Sequence, residues 1–139
     1  MGPKREKPKI LVVDDDPDMR IFFSALLKTG GFHPIVAKNG AEGMEKAKSQ
    51  HPEFIIIDVP MAGNGGMQMY QNLKQDKHLN AVPVMMVSTI DKQTFTQYQQ
   101  AKGIRLGMDI KVPEGFLEKP PEATEVLGLI RKILPGECR

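Results

Sequence analysis

Three consecutive aspartates, Asp14, Asp15 and Asp16, follow the apolar run Ile10–Val13. Three later apolar runs end on Asp58, on Ser88-Thr89 and on Lys119-Pro120. Singly, each has an ordinary use: an Asp after a strand caps a helix, a Ser makes a turn, a Lys-Pro pair sits in a loop. Together they form a set of carboxylates, a hydroxyl and an amine. Two carboxylates about 5 Å apart at an effective dielectric near 20 repel by roughly 3 kcal/mol, so several gather only around a counter-charge. A lysine supplies one positive charge, and a hard divalent cation such as Mg²⁺ supplies two and prefers oxygen ligands. With both present, one carboxylate can attack phosphorus while the hydroxyl and the amine hold phosphoryl oxygens.

Such a set works only if the chain folds those four run ends onto one edge. Candidate strands are "KILVV", "HPIVA", "EFIIID", "VPVMMV" and "GFLEK". Most have little internal polarity, as in a parallel sheet covered on both faces. Stretches with helical spacing separate them. Met19, Phe22, Phe23, Leu26 and Leu27 give the first helix, stopped by Gly30-Gly31. "NGAEGMEKAKSQ", with Met44 and Ala47 inward, gives the second, and "GMQMYQNLKQ", with Met69, Tyr70 and Leu73 inward, the third. The last, "EATEVLGLIRKIL", carries Val126, Ile130, Ile133 and Leu134 on one stripe and ends before Pro135-Gly136. Between the fourth and fifth strands the apolar anchors thin out and two glycines intervene, which predicts a short fourth helix and then a long loop. Five strand–helix units in this order predict an α/β fold: a three-layer doubly wound sandwich on a five-stranded parallel sheet with flavodoxin-like topology, whose ligands bind beyond the carboxyl ends of the strands.

Composition narrows the function further. A chain of 139 residues fits one domain. A net charge of +2, from 19 basic and 17 acidic side chains, gives no field that calls for nucleic acid or a membrane surface. No apolar run approaches the roughly 20 residues of a membrane helix. The single Cys138 cannot form an intrachain disulfide, which fits a reducing, cytoplasmic setting. Lys4, Arg5, Lys7 and Lys9 read as a solvated tail. The expected organisation is a flexible basic tail over residues 1–8, one domain over 9–135 and a short tail over 136–139.

With "VVDDDPDMR", "IIIDVPM", "PVMMVST" and "FLEKP" in place, the chain from about Lys9 to Leu134 resembles the receiver domain of two-component response regulators, the chemotaxis-regulator (CheY-like) fold. The resemblance implies that Asp14 and Asp15 hold Mg²⁺, Asp15 directly and Asp14 through water, together with Asp58 and the backbone carbonyl of Pro60. It implies that Asp58 accepts a phosphoryl group from a phosphohistidine of a sensor histidine kinase or phosphotransfer protein. Ser88 and Lys119 then bind that group, and Phe116 turns inward when Ser88 moves. It also implies a cytoplasmic signalling protein, not an enzyme on other substrates, acting on a downstream protein with no direct nucleic-acid contact and no membrane insertion. With four residues after Pro135, the chain reads as a stand-alone receiver.

Two other classes compete. A phosphatase with an aspartyl nucleophile needs a D-x-D pattern beginning at that nucleophile, whereas Val59-Pro60 follows Asp58. A phosphate-independent interaction module on the same fold has no need of the intact acidic and basic set. The "GNGG" at residues 63–66 lacks the Lys and Ser/Thr of a phosphate-binding loop. Relative to the family pattern, Ala62 replaces the usual proline after Met61, Thr89 is larger than usual, and the Ser88 to Lys119 interval is long, with the excess over residues 103–114.

Overall fold

The computed structural model describes residues 6–59, 65–106 and 113–134. Strands and helices alternate: β1 (Lys9–Val13), α1 (Pro17–Thr29), β2 (His33–Ala37), α2 (Gly40–Gln50), β3 (Phe54–Val59), α3 (Gly65–Gln75), β4 (Val84–Ser88), α4 (Lys92–Leu106), β5 (Gly115–Glu118) and α5 (Ala123–Ile133). The strands form one parallel sheet in the order β2-β1-β3-β4-β5. Strand order reverses between β1 and β3, which opens a crevice beyond their carboxyl ends. The doubly wound sandwich is the predicted one.

Side chains alternate across the strands and feed two apolar layers. Leu11, Val13, Ile55, Ile57, Val84 and Met86 pack with Met69, Tyr70 and Leu73 of α3, Ala47 of α2 and Phe95 of α4. Ile10, Val12, Phe54, Ile56, Met85 and Val87 pack with Phe23 and Leu27 of α1 and Val126 and Ile130 of α5. Each layer removes a face of the sheet from water, which explains the unbroken apolar runs. Met44 and Ile133, expected inward, are only partly buried at the margins of these layers.

Local chemistry fixes the helix ends. Asp16 accepts the Asp18 N–H at 2.9 Å, Pro17 occupies the first turn, and α1 stops at Gly30, followed by Gly31 at φ 93°, a conformation open to glycine. Asn39 likewise caps α2 through the Glu42 N–H at 2.8 Å. The edge strand β2 carries Pro34, which has no N–H, and Lys46 of α2 donates to the Val36 carbonyl at 2.6 Å.

The fourth helix departs from expectation. It spans 15 residues and continues through Gly103. Its start is set by Asp91, whose carboxylate accepts the Thr94 N–H at 2.8 Å and the Thr94 hydroxyl at 3.1 Å. These bonds, the backbone one first, hold the exposed Asp91 carboxyl below the usual carboxylate range. Lys, Gln, Ala, Arg and Leu along α4 are good helix formers, so intrinsic propensity extends a helix that apolar periodicity did not announce. Of the segment 103–114, where the loop was expected, residues 107–112 lie outside the described residues, as do Gly63 and Asn64 of "GNGG", Pro135-Gly136 and Cys138.

Glu114, just before β5, ties that strand to the start of β4 and to α3. Its carboxylate accepts the Val84 N–H at 2.8 Å and pairs with Lys74 Nζ at 3.3 Å. Lys74 also donates to the carbonyls of Asn80 and Val82 and lies over the ring of buried Tyr70, 5.7 Å from its centroid. Burial first, and then the Glu114 charge, push the Tyr70 phenol well above its ordinary value.

Candidate functional site

Register brings the acidic residues together. Val13 of β1 pairs with Ile57 of β3, so the residues that follow, Asp14 just past β1 and Asp58 near the end of β3's ladder, lie side by side. On the other side of β3, Val59 pairs with Ser88 of β4. Ser88 pairs with Glu118 of β5, and its carbonyl accepts the Lys119 N–H at 2.7 Å. Asp14, Asp15, Asp58, Ser88 and Lys119 therefore meet at one edge, as their positions in the sequence imply. Pro60, expected to offer its carbonyl, lies outside the described residues.

Carboxylate oxygens of Asp14, Asp15 and Asp58 lie within 4.8 Å of one another. Asp14 and Asp58 are 1% and 3% exposed, while Asp15 faces solvent. Lys119 Nζ forms an ion pair with Asp58 Oδ1. Burial, reinforced by the Asp58 charge, pushes the Asp14 carboxyl up to about 6 in spite of the bond it accepts from the Asp16 N–H. Burial raises Asp58 too, against the hydrogen bond and charge of Lys119. Both shifts come first from the burial of the carboxylates. Three convergent hard oxygen donors, two of them buried, fit a Mg²⁺ ion in chemistry and in spacing.

The other residues are poised around that cluster. Ser88 is fully buried, and its Oγ accepts the Ile90 N–H at 2.9 Å, which leaves its own O–H as a donor. Thr89 and Ile90 lie exposed beside it. Phe116 is half-buried and packs against Phe95, with ring centroids 5.2 Å apart and planes at 48°. Asp16 belongs to the helix cap, so the three-aspartate run splits into two residues facing the pocket edge and one capping α1.

Sequence reasoning missed two residues here. Gly66, in the first turn of α3, sits so close to β3 that a Cβ would collide with the Asp58 carbonyl oxygen. A glycine has no chemistry to read, and its only signal was its place beside the acidic loop. Arg20 of α1 donates from Nη1 to the Asp14 carbonyl at 2.8 Å. A lone basic residue on the partly apolar stretch from Met19 to Leu27 was the available signal.

The arrangement can bind a divalent cation through oxygen, present one buried carboxylate to an electrophile, and stabilise an incoming anion with an amine and a hydroxyl. Comparison with known proteins agrees with that chemistry. The response regulator receiver domain model matches residues 10–131. Protein PilH of Pseudomonas aeruginosa is 30% identical over 128 residues, covering 92% of this chain and 98% of PilH. Protein PilG of the same organism is 31% identical, covering 92% and 88%. The structure of the Vibrio cholerae chemotaxis response regulator CheY4 superposes with a TM-score of 0.77 at 25% identity, covering 92% of this chain and 99% of that one. With its family model spanning most of its length and its acidic edge assembled from the matching strand ends, the chain belongs to the response regulator receiver family.

Proposed function

We propose that this receiver accepts a phosphoryl group on Asp58 from the phosphohistidine of a histidine kinase or phosphotransfer protein, in a Mg²⁺-dependent reaction, and signals by changing shape. Receiver domains are signalling proteins of two-component and chemosensory systems, and their acidic pocket binds Mg²⁺. The observation that carries the reading is the convergence of the Asp14, Asp15 and Asp58 carboxylates with Lys119 seated on Asp58.

In this reading a carboxylate oxygen of Asp58 attacks phosphorus. A P–O bond forms as the P–N bond to the donor imidazole breaks, and the leaving nitrogen keeps the electron pair. When bound, Mg²⁺ would supply positive charge to offset that of the carboxylates and of the phosphoryl oxygens. Asp14, Asp15 and Asp58 would hold it, with the residue 60 carbonyl as a further oxygen donor. Lys119 transfers its ion pair from Asp58 to a phosphoryl oxygen, and the Ser88 O–H donates to another. Movement of Ser88 draws on the Ile90 amide bonded to its Oγ, next to the Asp91 cap of α4. Space vacated by Ser88 then admits Phe116, whose ring packs on Phe95 of α4. A downstream protein reading the α4 and β5 side would sense that change.

The test is incubation with Mg²⁺ and acetyl phosphate, followed by detection of an acid-stable, base-labile adduct. Wild type is expected to gain one phosphoryl group per chain, and Asp58→Asn none. An unlabelled wild type, or equal labelling of Asp58→Asn, rejects the reading.

A further inference from the structure

The aspartate pair of the pocket is set on a turn that is closed from α1, and the closing contact is a charged one. The Asp14 N–H donates to the Ala37 carbonyl at 3.1 Å, which extends β1 by one residue beside β2. The Asp14 carboxylate accepts the Asp16 N–H at 2.9 Å. The Asp16 carbonyl accepts the Arg20 N–H at 3.1 Å in the first helical bond, and Arg20 Nη1 returns to the Asp14 carbonyl at 2.8 Å. The turn from Asp14 to Arg20 is thus a closed ring of hydrogen bonds, with the Arg20 contact as its last link. We infer that Arg20 is a positioning residue for the cation site: by holding the Asp14 carbonyl it fixes the turn that aims the Asp14 and Asp15 carboxylates at Asp58.

The choice of partner matters. An arginine bonded to one of the carboxylates would occupy the lone pairs a cation needs. Arg20 bonds a backbone carbonyl instead and takes none of those lone pairs. A hydrogen bond from a charged donor contributes more than a neutral one, enough to hold a short turn against three carboxylates that repel. Outer contacts of this kind commonly carry tenfold or greater effects on metal affinity.

Two physical roles for Arg20 predict opposite signs. If it acted only through its field, removing a positive charge near a cation site would tighten Mg²⁺ binding. If it acts by holding the turn, removal weakens binding. The inference rests on the receiver reading above, and the test keeps the two apart. Melting temperature is measured over a Mg²⁺ titration for wild type, Arg20→Gln, Arg20→Ala and Arg20→Lys, with circular dichroism as a check on folding. The expected result is a Mg²⁺ midpoint raised about tenfold in Arg20→Gln. Arg20→Lys, which can still donate a charged hydrogen bond to the carbonyl, recovers most of the loss. An unchanged or lowered midpoint in Arg20→Gln, or equal loss in Arg20→Lys, overturns the inference. Should Arg20→Ala fail to fold, the Gln and Lys variants decide the matter. A wild type whose melting temperature ignores Mg²⁺ overturns the receiver reading itself, and the inference with it.

Discussion

Asp14 is the residue whose environment makes the strongest claim about conditions. Its carboxyl, pushed up to about 6 by burial and by Asp58, holds its proton more tightly in the native chain than in the unfolded one, where the ordinary value of 3.8 applies. Between about pH 4 and 6 the native state therefore binds more protons, and without a cation its contribution to stability falls as pH rises through that window. Asp58 is shifted in the same direction and adds to the trend. A divalent cation needs the ionised form, so the rise in melting temperature caused by Mg²⁺ should grow between about pH 5 and 7. Asp14→Asn should flatten both dependences. A Mg²⁺ effect that is constant over that range would contradict this account. Asp14, Asp15, Asp58, Ser88 and Lys119 were legible because each ends an apolar run and carries a reactive group. Gly66 and Arg20 were not, because their work is done by an absent side chain and by a bond to a backbone carbonyl.

The helices differ in how well the sequence announced them, and the reason lies in what holds each one. The first helix has a cap, a proline in its first turn, a glycine stop and an apolar stripe that buries Phe23 and Leu27, so its limits could be read directly. The fourth, α4, has weak apolar periodicity because, among its described side chains, only Phe95 is buried. It forms through the Asp91 cap and the propensity of its residues, signals that a search for amphipathic spacing undervalues. Since Phe95 also meets Phe116, it anchors the helix to β5. Phe95→Ala should cost about 3–5 kcal/mol in urea unfolding. Amide exchange along α4 should accelerate beyond that global loss, because the helix gives up its buried anchor. A cost below about 1 kcal/mol would show that other contacts carry α4.

Across the whole molecule, the parallel sheet separates two kinds of work. The reactive groups lie beyond the carboxyl ends of the strands, while the Lys74, Glu114 and Val84 contacts lie at the other end, where β4 and β5 begin. Topology was legible as a whole because each strand is a short apolar run between helical spacings. The role of Glu114 was not, since its partners lie 30 and 40 residues away and no local pattern pairs them. Glu114→Ala strands the Val84 N–H and removes the Lys74 ion pair, and should cost about 1–3 kcal/mol of stability. Labelling by acetyl phosphate should stay at the wild-type level, and a parallel fall in labelling would show that the two ends are coupled. The edge strand β2 has a consequence of another sort. An open strand edge invites a second chain to pair with it, which is the route to fibrils and to swapped dimers. With Pro34 lacking an N–H and the Val36 carbonyl already held by Lys46, a strand laid along β2 would miss a donor at one position and compete with an ammonium at another. On that side the sheet resists templating by a second copy of the chain.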